Sequence, residues 1–339
     1  MSQSEPRPDY FAMPFPGIFR ITCPTPFSGL PHVHIYVTEG PQGGLVLFDT
    51  AMPYEDSFDR VVSSLEWIGR KLTDIEAIYL THAHPDHFGN AGALQEASGG
   101  APVICHPFAK RALEAMSNPD PDRFRTRMSV FEEFGRTVDE FAAVERAGAA
   151  SFFGQMKFPT KMTAIDEGDV VTFARSDWDI YWTPGHEEGH VVFHRRSDGV
   201  IIVGDTVLWK ITPHIGWMLE PPDPLAQFLD SLEKVAKLQP SLVLPGHGRP
   251  FEDGASRARA IAAHHRQRLR RCMEILMHTG PLPAMDVARD LFDRELMSFE
   301  ERLALAETLS HLEYLRLRGR IHREMVDGVW VYEMPSVVP

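Results

Sequence analysis

Cysteine is scarce in this chain. Cys23, Cys105 and Cys272 are odd in number and far apart, which argues against a disulfide framework and for a reducing compartment. Long apolar runs are missing too, and none approaches the ~20 residues of a membrane-spanning helix. From Met1 to Arg20 the chain carries Pro, Asp and Glu where a secretory signal would have a basic start and an unbroken apolar stretch. A cytoplasmic protein with no membrane partner is the expectation. Basic charge is also short: 34 Lys and Arg stand against 47 Asp and Glu, a net charge of −13, which disfavours nucleic acid as a partner. The imbalance lies wholly before Gly254, where 21 basic residues face 35 acidic ones; after it the numbers are 13 and 12.

What the chain does have is a dense cluster of metal-binding side chains. Thr81-His82-Ala83-His84-Pro85-Asp86-His87 follows the apolar run Ile75 to Leu80, so a strand delivers three histidines and a carboxylate within six positions. On an extended backbone His82 and His84 point to the same side and can share one ion. Pro85 turns the chain, which lets Asp86 and His87 face a second. Three more candidates stand at strand ends beside Gly or Pro. They are Thr183-Pro184-Gly185-His186 with His190 four residues on, Gly204-Asp205-Thr206, and Pro245-Gly246-His247-Gly248. Four strand ends can bring these side chains to one sheet edge, where α/β proteins bind ligands.

The elements around the cluster alternate between strand and helix, which predicts a layered α/β domain. Strands are expected at Ile18 to Thr22, His32 to Thr38, Leu45 to Phe48, Val103 to Cys105, Trp178 to Thr183 and Val200 to Gly204. Helical spacing runs through Phe58, Val61, Val62, Leu65 and Ile68, and again through Leu225, Phe228, Leu229, Leu232 and Val235. His32 and His34 alternate on one strand and lack a carboxylate neighbour, so lining a pocket or bonding locally suits them better than ligation. Phe124, Met128, Phe131, Phe134, Val138, Phe141 and Val144 predict one long amphipathic helix within residues 107–160. Its aromatic face either packs on the domain or a second subunit, or forms a lid over an apolar substrate. After Gly254, three helices and a hairpin through Val326-Asp327-Gly328 are expected.

The pattern His-x-His-x-Asp-His at His82 to His87, with Thr183 to His186, Gly204 to Thr206 and Pro245 to Gly248, resembles the metallo-β-lactamase superfamily. The resemblance covers Ile18 to about Gly254. It implies an αββα sandwich as catalytic domain (1–254), followed by a small C-terminal domain (255–339) that resembles the winged helix of the β-lactamase-like protein 2 group. The pattern around Ile211-Thr212-Pro213-His214-Ile215 is shared with that group, and His214 is expected either behind the ligands or beside the substrate. Carried over, one zinc falls to His82, His84 and His186, and the other to Asp86, His87 and His247, with Asp205 bridging. His190 and Asp49 would support the ligands from behind. Imidazole and carboxylate donors without thiolate suit zinc, with iron or manganese as competitors. Two such cations lower the pKa of a shared water from 15.7 to ~7, and Asp86 would orient it and pass a proton to the leaving group. The expected activity is hydrolysis of an ester-like carbonyl (thioester, lactone or ester) in a small, partly apolar substrate. The alternatives are a phosphodiesterase or RNase with the same metals, and a nucleic-acid-binding regulator acting through the winged helix. A homodimer is left open.

Overall fold

The computed structural model describes residues 7–27, 29–120, 122, 129–135, 153–217, 219, 221–292 and 298–335. Seven strands form the first sheet in chain order: β1 (Phe11–Phe15), β2 (Ile18–Phe27), β3 (Leu30–Glu39), β4 (Leu45–Phe48), β5 (Ile75–Tyr79), β6 (Val103–Cys105) and β7 (Met162–Ala164). The first four pair antiparallel and the last four parallel. Parallel neighbours need crossovers, and these are α1 (Ser57–Trp67), then α2 (Pro85–Phe88) with α3 (Ala91–Ala97), then α4 (Pro107–Ser117). The second sheet holds β8 (Val170–Phe173), β9 (Ser176–Trp182), β10 (Val191–Arg195), β11 (Val200–Gly204) and β12 (Leu242–Pro245), in the order β12-β11-β10-β9-β8. The helix α5 (Pro224–Leu238) joins the parallel pair β11 and β12. Strand β1 falls in what reads from the sequence as a proline-rich leader.

The central strands β4 and β11 are buried on both faces, so their sequences run apolar rather than alternating, and the two-residue period decides which layer each side chain joins. In β11, Val200 and Ile202 face the space between the sheets, while Ile201 and Val203 face out. The inner layer is aromatic. Phe48 of β4 meets Phe193 of β10 edge-on at 4.9 Å, and Tyr79 of β5 meets Phe173 of β8 at 4.9 Å. Outside the first sheet, Val61, Leu65, Leu94 and Leu113 cover Ile35, Leu47 and Ile78. Outside the second, Phe228, Leu232 and Val235 of α5 cover Val192, Ile201 and Val203. This is the expected αββα sandwich.

The C-terminal part comprises α6 (Gly254–Thr279), β13 (Leu282–Pro283), α7 (Ala284–Phe292), α8 (Ser298–Leu317), β14 (His322–Val326) and β15 (Val329–Glu333), the strands ordered β13-β15-β14. Its apolar side chains, among them Ile261, Leu305, Leu309 and Tyr332, continue the cluster begun by α5. Within it, Glu313 is only 2% exposed, accepting from Arg316 Nε and Arg323 (both 2.8 Å) and from the Tyr332 hydroxyl (2.7 Å). Glu313→Ala leaves these donors without their acceptor, and a loss of about 2–3 kcal/mol is expected in urea unfolding.

The long helix expected across Phe124 to Val144 is not continuous. Glu132–Phe134 is a single 3₁₀ turn, and Gly135 ends it with φ 93°, a left-handed conformation that no regular helix contains. Phe131 and Phe134 are buried, and the Phe134 ring lies 5.5 Å from Trp217 and 6.4 Å from Tyr332. Both aromatics belong to the apolar cluster that the C-terminal part shares. Phe124, Met128, Val138, Phe141 and Val144 lie outside the described residues.

Candidate metal centre

Strand β5 carries the chain to Thr81 and His82 at the edge of the first sheet, and Pro85 then opens α2 at its first turn, where a missing N–H costs nothing. In the second sheet β9 and β11 both pair antiparallel with β10 and so run the same way. Their ends release His186 and Asp205. Strand β12, parallel to β11, releases His247. All seven expected residues converge. Ligand atoms of His82, His84 and His186 lie within 4.8 Å of one another, as do those of His82, His87 and Asp205, and those of Asp86, His87 and His247. Asp205 is central: its carboxylate oxygens are 3.5 Å from His87 Nε2, 3.6 Å from His186 Nε2 and 3.3 Å from His247 Nε2.

Four of the five rings are held from behind. His87 Nδ1 donates to Asp49 (2.8 Å), His186 Nδ1 to the carbonyl of His214 (2.8 Å), and His247 Nδ1 to the carbonyl of His32 (2.6 Å). Thr81 gives its hydroxyl hydrogen to Asp49 and accepts from His82 Nδ1 (2.9 Å). With the proton placed on Nδ1, the neutral forms of these four rings present an Nε2 lone pair forward. The Nε2 atoms of His82, His87, His186 and His247 are all buried without a hydrogen-bond partner, and so is Asp205 Oδ1. Five buried orphans around one point are costly in a folded protein unless something binds them. A transition-metal ion fits this donor set.

The charge balance divides the cluster in two. Burial, with His87 and His84 nearby, holds His82 well below the usual histidine range, and burial with His186 takes His84 down to about 3. Burial also opposes charge on His247, but the Asp205 and Asp86 carboxylates outweigh it and lift the pKa to about 10. His87 is raised for the same reason, by Asp205, Asp49 and Asp86. One half of the cluster presents neutral donors. The other pairs its imidazoles with two buried carboxylates.

Of the remaining expected residues, His190 is fully buried. Its Nε2 accepts from the Asp205 backbone N–H (3.1 Å) while Nδ1 meets the hydroxyls of Thr183 and Thr206, so it fixes the loop that carries Asp205. His214 uses its carbonyl to orient His186, and its ring Nδ1 lies 3.3 Å from Glu307. The roles of Thr81, of the His32 carbonyl and of Glu307 escape a reading of the sequence. Thr81 stands beside the first ligand and was open to notice; the other two act from far along the chain and carry no local signal. Gly246 is a spatial requirement, because a Cβ there would sit 2.5 Å from Asp205 Oδ1 and 2.6 Å from His87 Cε1. Gly246→Ala is expected to lower bound metal by about tenfold, on the scale of lost ligand support, with the fold retained by circular dichroism and the loss read by elemental analysis.

A two-sheet sandwich whose strand ends turn buried histidines and carboxylates onto one point is the architecture of a metal-dependent hydrolase. The chain belongs to the metallo-β-lactamase superfamily, whose family model matches residues 29–247. A second model, described as the metallo-β-lactamase-like C-terminal domain, matches residues 269–335. The chain is similar to a probable metallo-hydrolase of Bacillus subtilis, 28% identical over 315 residues that cover 90% of this chain and 93% of that protein. It is also similar to a β-lactamase-like protein 2 homolog of Drosophila melanogaster, 22% identical over 268 residues, or 78% of this chain and 77% of that protein. The crystal structure of a metallo-β-lactamase family protein from Thermus thermophilus superposes with a TM-score of 0.80 at 29% identity, covering 95% of this chain and 99% of that one. Among the described residues no helix is long and apolar enough to cross a membrane.

Proposed function

We propose that the centre holds two zinc ions and hydrolyses an ester-like carbonyl, a thioester, lactone or ester, in a small and partly apolar substrate. The observation that carries this reading is the set of orphaned Nε2 atoms around Asp205. His82, His84 and His186 would hold one ion, Asp86, His87 and His247 the other, with Asp205 shared. Nitrogen and oxygen donors without sulfur favour zinc, and iron and manganese compete on the same grounds. Bound there, two divalent cations supply a nucleophilic water of lowered pKa and polarise the carbonyl under attack. The protein does the rest. Asp86, kept ionised by His87 and His247 despite its burial, accepts a proton from the attacking water and returns it to the leaving group.

The cleft in front supports an acyl substrate. A cavity of about 330 Å³ is lined by His186 and Asp205 together with Leu208, Ile211, Leu303 and Phe292. Its charged lining residues besides Asp205 are Glu300 and Glu307, an unfavourable setting for a phosphodiester or RNA. Leu303 and Glu307 belong to α8, so the C-terminal part, which we read as a winged-helix-like domain spanning 255–339, shapes the substrate entrance.

The test is elemental analysis of the purified protein, with turnover of a panel of acyl thioesters, lactones, β-lactams, phosphodiesters and RNA under Zn, Mn and Fe. Two equivalents of metal and fastest turnover of a thioester, lactone or ester are expected. Less than one equivalent of any transition metal, or hydrolysis of phosphodiesters alone, sinks the reading.

A further inference from the structure

A second depression, of about 600 Å³, is lined by Gly248 and Arg249, which follow His247, and shares no lining residue with the hydrolytic cleft. Its size is ordinary for a small-molecule site. Its chemistry is unusual for so acidic a chain: Arg20, Arg60 and Arg249 converge there with His32 and Tyr10, and Asp9 at the rim is the one carboxylate among the lining residues. Arg60 is engaged, donating to Asp56 (2.8 Å) and to the Thr22 carbonyl (2.9 Å) with its guanidinium over the Tyr10 ring. Arg20 differs, because its Nε is buried and finds no hydrogen-bond partner. Arg249 is exposed and stacks its guanidinium on Trp209 at 4.6 Å, which holds the fork in place and leaves its edge N–H groups free. His32 adds a third donor. The Gly248 N–H donates to its Nε2 (3.2 Å), so the ring hydrogen sits on Nδ1.

A buried donor without an acceptor, here Arg20 Nε, is as informative as those in the metal cluster. We propose that this depression binds a small phosphorylated molecule, gripping the phosphoryl oxygens with Arg20, Arg249 and His32. Three donors from separate elements suit a tetrahedral group with three free oxygens, and guanidinium forks match phosphate geometry better than an ammonium would. The phosphoryl group could come from inorganic phosphate or from a nucleotide such as AMP, and the site makes the same contacts to both.

Titration calorimetry of the full-length protein with inorganic phosphate, AMP and acetate tests this without requiring turnover, so it stands or falls apart from the hydrolase reading. Phosphate or AMP is expected to bind at one equivalent, with the tighter of the two identifying the source, and acetate at least about tenfold more weakly. Arg20→Gln and Arg249→Gln should each weaken binding by about tenfold, the scale of one charged hydrogen bond. Arg249 is exposed, so its variant leaves the fold intact. His186→Ala should bind as the wild type does. Affinity that falls in His186→Ala and survives in the arginine variants would place the anion on the metal centre and overturn the proposal. Equal affinity for acetate, or no binding by about 10 mM, overturns it as well.

Discussion

Asp205→Ala is expected to lower kcat/KM by on the order of a thousandfold or more and to reduce bound metal, while the protein stays folded. Its carboxylate approaches three imidazoles at 3.3 to 3.6 Å, so the loss touches His87, His186 and His247 at once. Folding is a separate matter. Asp205 is 4% exposed and held well below the usual carboxylate range, because His247 and His87 outweigh the burial that opposes its charge. Removing it takes away a buried orphan oxygen together with the attraction that favoured charged imidazoles, and those imidazoles can then stay neutral. The thermal midpoint should change little beside the change in rate. Activity within tenfold of wild type, or unchanged metal content, would remove Asp205 from the centre.

Asp49→Ala should damage both stability and metal retention. This carboxylate is 3% exposed and accepts from the Thr81 N–H (2.8 Å), the Thr81 hydroxyl (2.9 Å) and His87 Nδ1 (2.8 Å). It binds none of the ions in the proposed centre. Alanine strands these donors in a dry interior, at a cost of about 1–3 kcal/mol for each buried group left unpaired. Metal affinity should fall by about 10–100-fold, since His87 loses the partner that fixes its tautomer. Asp49→Asn separates the two effects. It keeps the shape and should recover most of the stability, but an amide can turn its NH2 toward His87 and drive the ring proton to Nε2, blocking the ligand position. Chemical denaturation against metal analysis reads the split. Equal stability and equal metal content in both variants would show that Asp49 is merely a buried residue.

How much of this was open to a reader of the chain differs from element to element. Strand β4 is Leu45–Phe48, as the apolar run predicts. Helix α1 spans the apolar repeat read from Phe58 to Ile68 apart from its last residue, Ile68, which caps it. The failures have local causes. Strand β1, Phe-Ala-Met-Pro-Phe, contains a proline and sits at a sheet edge, where a missing N–H is tolerated. The aromatic repeat through Phe131 and Phe134 has helical spacing, yet Gly135 turns the chain out of a helix. There the period reports burial against Trp217 and Tyr332 rather than the backbone form.

By itself the sequence determined the layered α/β architecture and the residue types of the centre. Period-two and period-3.6 burial is written locally, and so is a dense run of histidines at the end of a strand. Only the tertiary structure decided what surrounds them. The carbonyl of His32 orients His247 across 215 positions, and His214 meets Glu307 across 93. Such contacts depend on which faces of the strands and helices come together, and that is settled by burying the whole apolar surface at once. No single stretch of the chain encodes it.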